Sequence, residues 1–220
     1  MKLISFLVIL SLSATSLYTQ SKSVELTHYL LPEFTSGSVI MKDGSVNFAL
    51  LNYNLLSEEM LFNQRGKILA LGADMIRSID TVTIGGRKFV VENGKFFELL
   101  YSGKDELMAE YRCSLIAPGT PAAYGTTTET ASAKAYSSLY AGGMVYELTL
   151  PDGYKTRPYI NYWIKREGKL SKFINIKQLS SIYKANSADR KRYNKNSAVD
   201  FKVPSTIANL IIYLEGIEMN

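Results

Sequence analysis

Hydrophobic and polar residues alternate along much of the first half of the chain, and that period of two predicts strands. The clearest run is Leu107–Ile116. Leu107, Ala109, Tyr111, Cys113 and Leu115 take one face, and Met108, Glu110, Arg112, Ser114 and Ile116 take the other. This is the pattern of a half-buried strand, apolar inside and mostly polar outside. Val46, Phe48 and Leu50 likewise fall on one face. Shorter runs follow at Leu55–Phe62, Lys67–Leu71, Thr81–Ile84, Lys88–Val91 and Lys95–Tyr101. Turn signals separate them: Lys42-Asp43-Gly44-Ser45, Gln64-Arg65-Gly66, Gly85-Gly86 and Asn93-Gly94. Asp-Gly and Asn-Gly pairs between apolar runs mark hairpins, because their residues accept the positive φ that tight hairpin turns require.

The pattern lapses at 117–143, a stretch of small residues, Thr and Ser interrupted by Tyr124, Tyr136, Leu139 and Tyr140. A long irregular connection inside a domain is uncommon and is usually functional or disordered. Alternation resumes at Met144–Leu150, and Pro151-Asp152-Gly153 turns the chain. Tyr159–Arg166 reads as an aromatic strand that Glu167-Gly168-Lys169 returns toward Phe173. Helical spacing comes only afterwards. Asn175 with Gln178 forms a capping pair ahead of Ile176, Leu179, Ile182 and Tyr183. Ser187 opens a basic helix to about 196, and Asp200–Val203 reads as extended. Pro204 starts a last helix with Ile207, Leu210, Ile211 and Leu214 as its buried stripe and Gly216 as its stop. The expected class is α+β: an antiparallel β-sheet or open β-roll with two or three short C-terminal helices.

Lys2 and the apolar run Leu3–Leu12, followed by small and polar residues, have the order of a secretory signal peptide. The run is shorter than the about 20 residues a spanning helix needs. The expected organisation is a signal peptide over 1–21 and one β-rich domain over 22–220, helical at 175–216. The expected location is exported, periplasmic or extracellular. No cysteine stands near the cleavage region to carry a lipid anchor, and no later stretch is apolar enough to span. The composition, 46% hydrophobic and 20% charged, is that of a globular domain with a real core. Cys113 is the one cysteine, so no intramolecular disulfide forms. The net charge of +5 is concentrated in Lys184, Arg190, Lys191, Arg192 and Lys195, which reads as a solvated helix face rather than a nucleic-acid surface.

Fifteen tyrosines are the compositional anomaly, and aromatic side chains of this kind suit surfaces facing saccharides or proteins. Tyr124, Tyr136 and Tyr140 on the loop, with Tyr159 and Trp163 on the aromatic strand, are the candidate ligand contacts. Tyr159, Tyr162 and Trp163 read as core or sheet-face packing, with a sugar-stacking platform as the alternative. His28, the one histidine, lacks a carboxylate or thiol neighbour in sequence and reads as a surface or packing residue. Cys113, on the apolar face, reads as a small hydrophobe. No phosphate-loop, zinc, EF-hand or serine-nucleophile spacing is present, so no catalytic residue, metal or cofactor is assigned. Glu58, Glu59, Asp80, Glu98, Glu106 and Glu110 are the carboxylates available for a glycosidase-type pair.

The segments ALLNYNLLSEEMLF (Ala49–Phe62), IDTVTIGGRKFV (Ile79–Val90) and KFFELLYSGK (Lys95–Lys104) resemble an uncharacterised family of exported proteins from Gram-negative gut-type bacteria. The C-terminal order of short helix, basic helix and a DFK step into a last helix, Lys177–Leu214, is similar to it as well. The resemblance implies a β-rich, envelope-associated exported protein and brings no activity with it. The expected function is a noncatalytic binding or interaction protein of the cell envelope. Its candidate partners are envelope polysaccharide, a lipid or another envelope protein. The alternatives are a glycan-acting hydrolase using paired carboxylates and a structural subunit docking through its basic helical end.

Overall fold

A computed structural model describes residues 28–116, 120–121, 127–128, 154–183 and 198–218. Ten strands form one antiparallel sheet in the order β12-β11-β8-β7-β6-β5-β1-β2-β3-β4. Their bounds are β1 Thr35–Met41, β2 Val46–Asn54, β3 Glu59–Gln64, β4 Lys67–Ala70, β5 Ile79–Ile84, β6 Arg87–Glu92, β7 Lys95–Ser102, β8 Glu106–Ile116, β11 Lys155–Arg166 and β12 Lys169–Phe173. A separate two-stranded ribbon pairs β9 Thr120–Pro121 with β10 Thr127–Thr128, so the stretch expected to be wholly irregular contains extended pairing. Helices α1 Ala73–Ser78, α2 Ile176–Ile182 and α3 Pro204–Glu218 complete the described chain. The described residues are mostly β, with the longer helices late in the chain.

The hairpins follow from their turn residues. Asn93 and Gly94 both take positive φ (52° and 76°), the geometry of a type I′ turn. At the β1–β2 turn the Asp43 carboxylate accepts from the Ser45 backbone N–H (2.9 Å) and hydroxyl (2.7 Å). Leu55–Glu58, expected to begin a strand, instead forms the turn between β2 and β3, where the Asn54 side chain accepts from the backbone of Leu56 and Ser57. Helix α1 was not expected. It has six residues, its N-cap Gly72 offers no side-chain cap, and no residue in it is buried, so no amphipathic pattern marks it.

The sheet curls back on itself. Tyr53 of β2 stacks on Phe89 of β6 with centroids 6.3 Å apart, although β1 and β5 lie between their strands in the sheet order. The Cys113 N–H of β8 donates to the Leu55 carbonyl at the end of β2 (2.9 Å). Inside the curl lie Leu51, Val82, Ile84, Phe89, Leu107, Ala109, Tyr162 and Ile164, all nearly fully buried. The close approach at β1 depends on Gly37, where a Cβ would stand 2.3 Å from the Thr83 carbonyl oxygen.

The apolar row Val46, Phe48 and Leu50 faces outward, at 46%, 84% and 44% exposure, whereas the polar face of β8 is covered. Met108 is fully buried opposite Trp163, and Glu110 is 4% exposed. Strand alternation reports two faces, but not which of them a neighbour covers.

The helices behave largely as their patterns predict. The Asn175 side chain caps α2 by accepting from Gln178 N–H (2.9 Å), while the Gln178 side chain accepts from Ile174 N–H, one residue before the cap. Ile207, Leu210, Ile211 and Leu214 of α3 are 0–1% exposed, and burial of each contributes about 1.5–3 kcal/mol. The helix runs through Gly216 to Glu218 rather than stopping at the glycine. Glu215 fastens it to the β7–β8 connection, accepting from Asp105 N–H (2.9 Å) and Tyr101 Oη (2.8 Å). Asp200–Val203 is a turn, closed by Val203 N–H to the Asp200 carbonyl (2.9 Å) and by the Asp200 side chain accepting from Lys202 N–H. The proposed basic helix at 187–196 lies outside the described residues.

Candidate functional site

A groove of about 590 Å³ opens where the start of the described chain, the β2–β3 turn, β8, β11 and the Phe201 turn converge. It is lined by Tyr29, Leu30, Leu55, Tyr111, Arg112, Pro158, Tyr159, Ile160, Phe201 and Lys202. Each wall has a local cause. Tyr159 lies opposite Arg112 across the β8–β11 ladder, and Ile160 lies opposite Tyr111. Pro158 sits opposite Cys113, whose N–H is already given to Leu55. The backbone groups of that pair therefore face away from each other, and the missing proline donor costs no ladder bond. Phe201 is fixed by an aromatic cluster: it meets the edges of Tyr162 (5.8 Å) and Phe173 (6.3 Å), and Tyr162 Oη donates to its carbonyl (3.0 Å). Tyr29 is held by a bridge to Asn54 and by the Leu30 N–H bond to the Tyr53 carbonyl.

Among the described residues the charged groups lining the groove are Arg112 and Lys202, and no carboxylate lines it. Arg112 is ion-paired with Glu58, whose other oxygen contacts Lys95 at 3.1 Å. Lys95 continues to Glu110 (3.5 Å), and Glu110 Oε2 accepts from Asn161 Nδ2 (3.0 Å) and Trp163 Nε1 (3.2 Å). Burial pushes the Glu110 carboxyl up, but the two hydrogen bonds and the Lys95 and Arg112 charges outweigh it and hold it below the usual carboxylate range. Beneath the groove, Tyr111 Oη donates to Glu98 (2.6 Å), and Arg87 grips the same carboxylate at 2.9 and 2.6 Å. Burial and then the Glu98 bond push the Tyr111 phenol up, so it is a neutral donor at any physiological pH.

Of the residues singled out from sequence, Tyr159 is on the groove, 40% exposed. Trp163 is not. Its indole bonds Glu110, meets the edge of Phe97 at 5.9 Å and lies under Lys172. Tyr162 points to the opposite face and is 1% exposed, so the three-residue platform does not form. Tyr124, Tyr136 and Tyr140 lie outside the described residues, as does the cluster from Lys184 to Lys195. His28, expected at the surface or in packing, is 5% exposed and packs on Tyr29 with rings 4.5 Å apart. Cys113 is buried, and burial pushes its thiol up to about 11. Sequence reasoning missed Tyr29, Arg112, Phe201 and Lys202. Only Arg112 carried a signal, as a cation on the outer side of the clearest strand.

No family model, curated protein or solved structure matches the chain. The site is therefore read from its own chemistry. Among the described residues four carboxylates, Glu98, Asp105, Glu110 and Glu215, are buried. Glu98 is committed to Arg87 and Tyr111, Glu110 to Asn161 and Trp163, and Glu215 to Tyr101 and the Asp105 backbone. Asp105 lies beside Glu215, 3.9 Å from the Arg166 guanidinium, and neither acid lines the groove. Among the described residues no three His, Cys, Asp or Glu side chains gather to hold a metal ion, and no helix is long and apolar enough to cross a membrane.

Proposed function

We propose that the chain is an exported, noncatalytic binding protein of the bacterial cell envelope, and that its groove takes an anionic saccharide segment of envelope polysaccharide. The observation that carries this reading is the lining: Tyr159 and Phe201 offer aromatic surface, with the largely buried Tyr29 among the lining, beside Lys202 and the Glu58-paired Arg112, and no acid is among the described lining residues. Aromatic faces suit the apolar faces of sugar rings, and Arg and Lys suit carboxylate or phosphate substituents. The volume falls within the about 300–1,000 Å³ usual for ligand sites. The structural commitments of Glu98, Glu110 and Glu215 favour binding over hydrolysis. A lipid or another envelope protein as partner is an outcome of the same test.

The test is an array carrying acidic and neutral glycans, lipids and envelope protein extracts, probed with wild type, Tyr159→Ala and Lys202→Glu. Retention on acidic glycans is expected, falling at least about tenfold in either variant, a loss of about 1.4 kcal/mol. Equal retention by all three proteins, or retention on lipid or protein spots alone, contradicts the reading. Release of reducing sugar from a retained glycan supports the hydrolase instead.

A further inference from the structure

A second concavity, of about 410 Å³, shares no lining residue with the groove. Its floor is Val39, Leu51 and Leu71, all buried core residues. Its mouth carries the Asn47 and Gln64 amides and the thioether of Met75. Not one of its described lining residues is charged. A charged group placed there would lose hydration and gain no counter-charge, which is costly, whereas a hydrocarbon gains by leaving water.

Helix α1 stands at this mouth in an unusual state. It has six residues, too few to be stable alone in water, and none of them is buried. Ile76 packs half-buried against the core, and Lys42 holds the helix end, its Nζ donating to the Arg77 carbonyl and its N–H to the Ser78 carbonyl, each at 2.8 Å. Met75, 47% exposed, is its contribution to the cleft. A flexible, polarisable side chain left half in water at the rim of an apolar hole is suited to closing over a guest of variable shape.

We infer that this cleft is a binding site for a single alkyl chain bearing an uncharged polar head, with the chain on Leu51 and Leu71, the head at the Asn47 and Gln64 amides, and Met75 covering it. The site is independent of the saccharide groove and stands or falls separately.

The experiment is calorimetric titration of the protein with 1-alkanols from six to fourteen carbons, with decanoate and decyl sulfate as charged comparators. Affinity is expected to rise about fourfold per added methylene and to level off at about fourteen heavy atoms, taking about 30 Å³ for each. The two anions are expected to bind at least tenfold more weakly than decanol. Ala49→Phe, which fills the cleft from its wall, should abolish alkanol binding. Met75→Asp, at a side chain 47% exposed, should weaken binding at least tenfold and keeps the test valid if Ala49→Phe lowers Tm. Neither variant should alter acidic-glycan retention. The inference is overturned if affinity is independent of chain length, if the anions bind as well as decanol, or if Met75→Asp binds like wild type. It is equally overturned if alkanols do not bind and the protein instead forms a dimer that Phe48→Ser dissolves, since a second copy would then occupy this end of the sheet.

Discussion

Removing the Glu98 carboxylate should expose how much of the core depends on one buried ion pair. Glu98 lies opposite Ala109 on the inner face and is 8% exposed. It accepts three short bonds, two from Arg87 and one from Tyr111, and the Arg87 guanidinium lies 4.8 Å from the Tyr111 ring centroid. Deleting one partner of a buried pair costs about 3–5 kcal/mol. The Arg87 side chain retains 26% exposure and can reach water, which places its share near the low end, about 3 kcal/mol. The Tyr111 hydroxyl loses its acceptor as well, at about 1 kcal/mol. Glu98→Ala should therefore cost about 4 kcal/mol, which moves a urea midpoint by about 2 M at a slope of about 2 kcal/mol/M.

Arg87→Met/Glu98→Leu removes both charges while keeping bulk, and should cost less than Glu98→Ala alone. Urea unfolding followed by the fluorescence of Trp163, the one tryptophan, measures all three proteins. A Glu98→Ala cost below about 1 kcal/mol, the range of a surface pair, refutes the reasoning. So does a double variant less stable than Glu98→Ala.

Three further outcomes follow from single contacts. Because Trp163 donates to Glu110, acid titration of native protein should shift tryptophan emission with a midpoint below the usual carboxylate value of about 4.3, and Glu110→Gln should abolish that step. The sign follows from the lowered native pKa: the stabilisation is present above the unfolded-state value and is lost as pH falls through the native one. Gly37→Ala should cost about 1–3 kcal/mol in chemical denaturation, because the carbonyl 2.3 Å from the new Cβ is backbone and cannot rotate aside. Cys113 should resist an aromatic disulfide reagent at neutral pH and react on unfolding, since burial both covers the thiol and pushes its pKa up to about 11.

Much of the sheet was legible in the sequence because strand alternation and positive-φ turn pairs are local signals. Asn93-Gly94 and the Leu107–Ile116 run needed no tertiary information. What local signals did not carry was coverage. Phe48 and Glu110 each obey the alternation of their strands, yet the apolar one is exposed and the acidic one buried, because curling of the sheet and the cross-strand neighbours Asn161 and Trp163 decide which face is closed. The groove was legible only at Tyr159. Tyr29, Arg112 and Phe201 come from three distant parts of the chain and meet through the β2–β3 turn, the β8–β11 register and an aromatic cluster. Helix α1 was invisible because none of its six residues is fully buried and only Ile76 packs against the core, too little to make a hydrophobic period.

The central claim is that the Tyr159–Arg112–Lys202 groove binds an anionic saccharide. Calorimetric titration of the protein with polygalacturonate, with neutral dextran as the comparator, tests it most directly. Saturable binding of the acidic polymer alone is predicted, weakening as salt rises from 0.01 to about 0.15 M and falling at least about tenfold in Tyr159→Ala. Equal heats from both polymers, or acidic-polymer binding unchanged by Tyr159→Ala and Lys202→Glu, would contradict it.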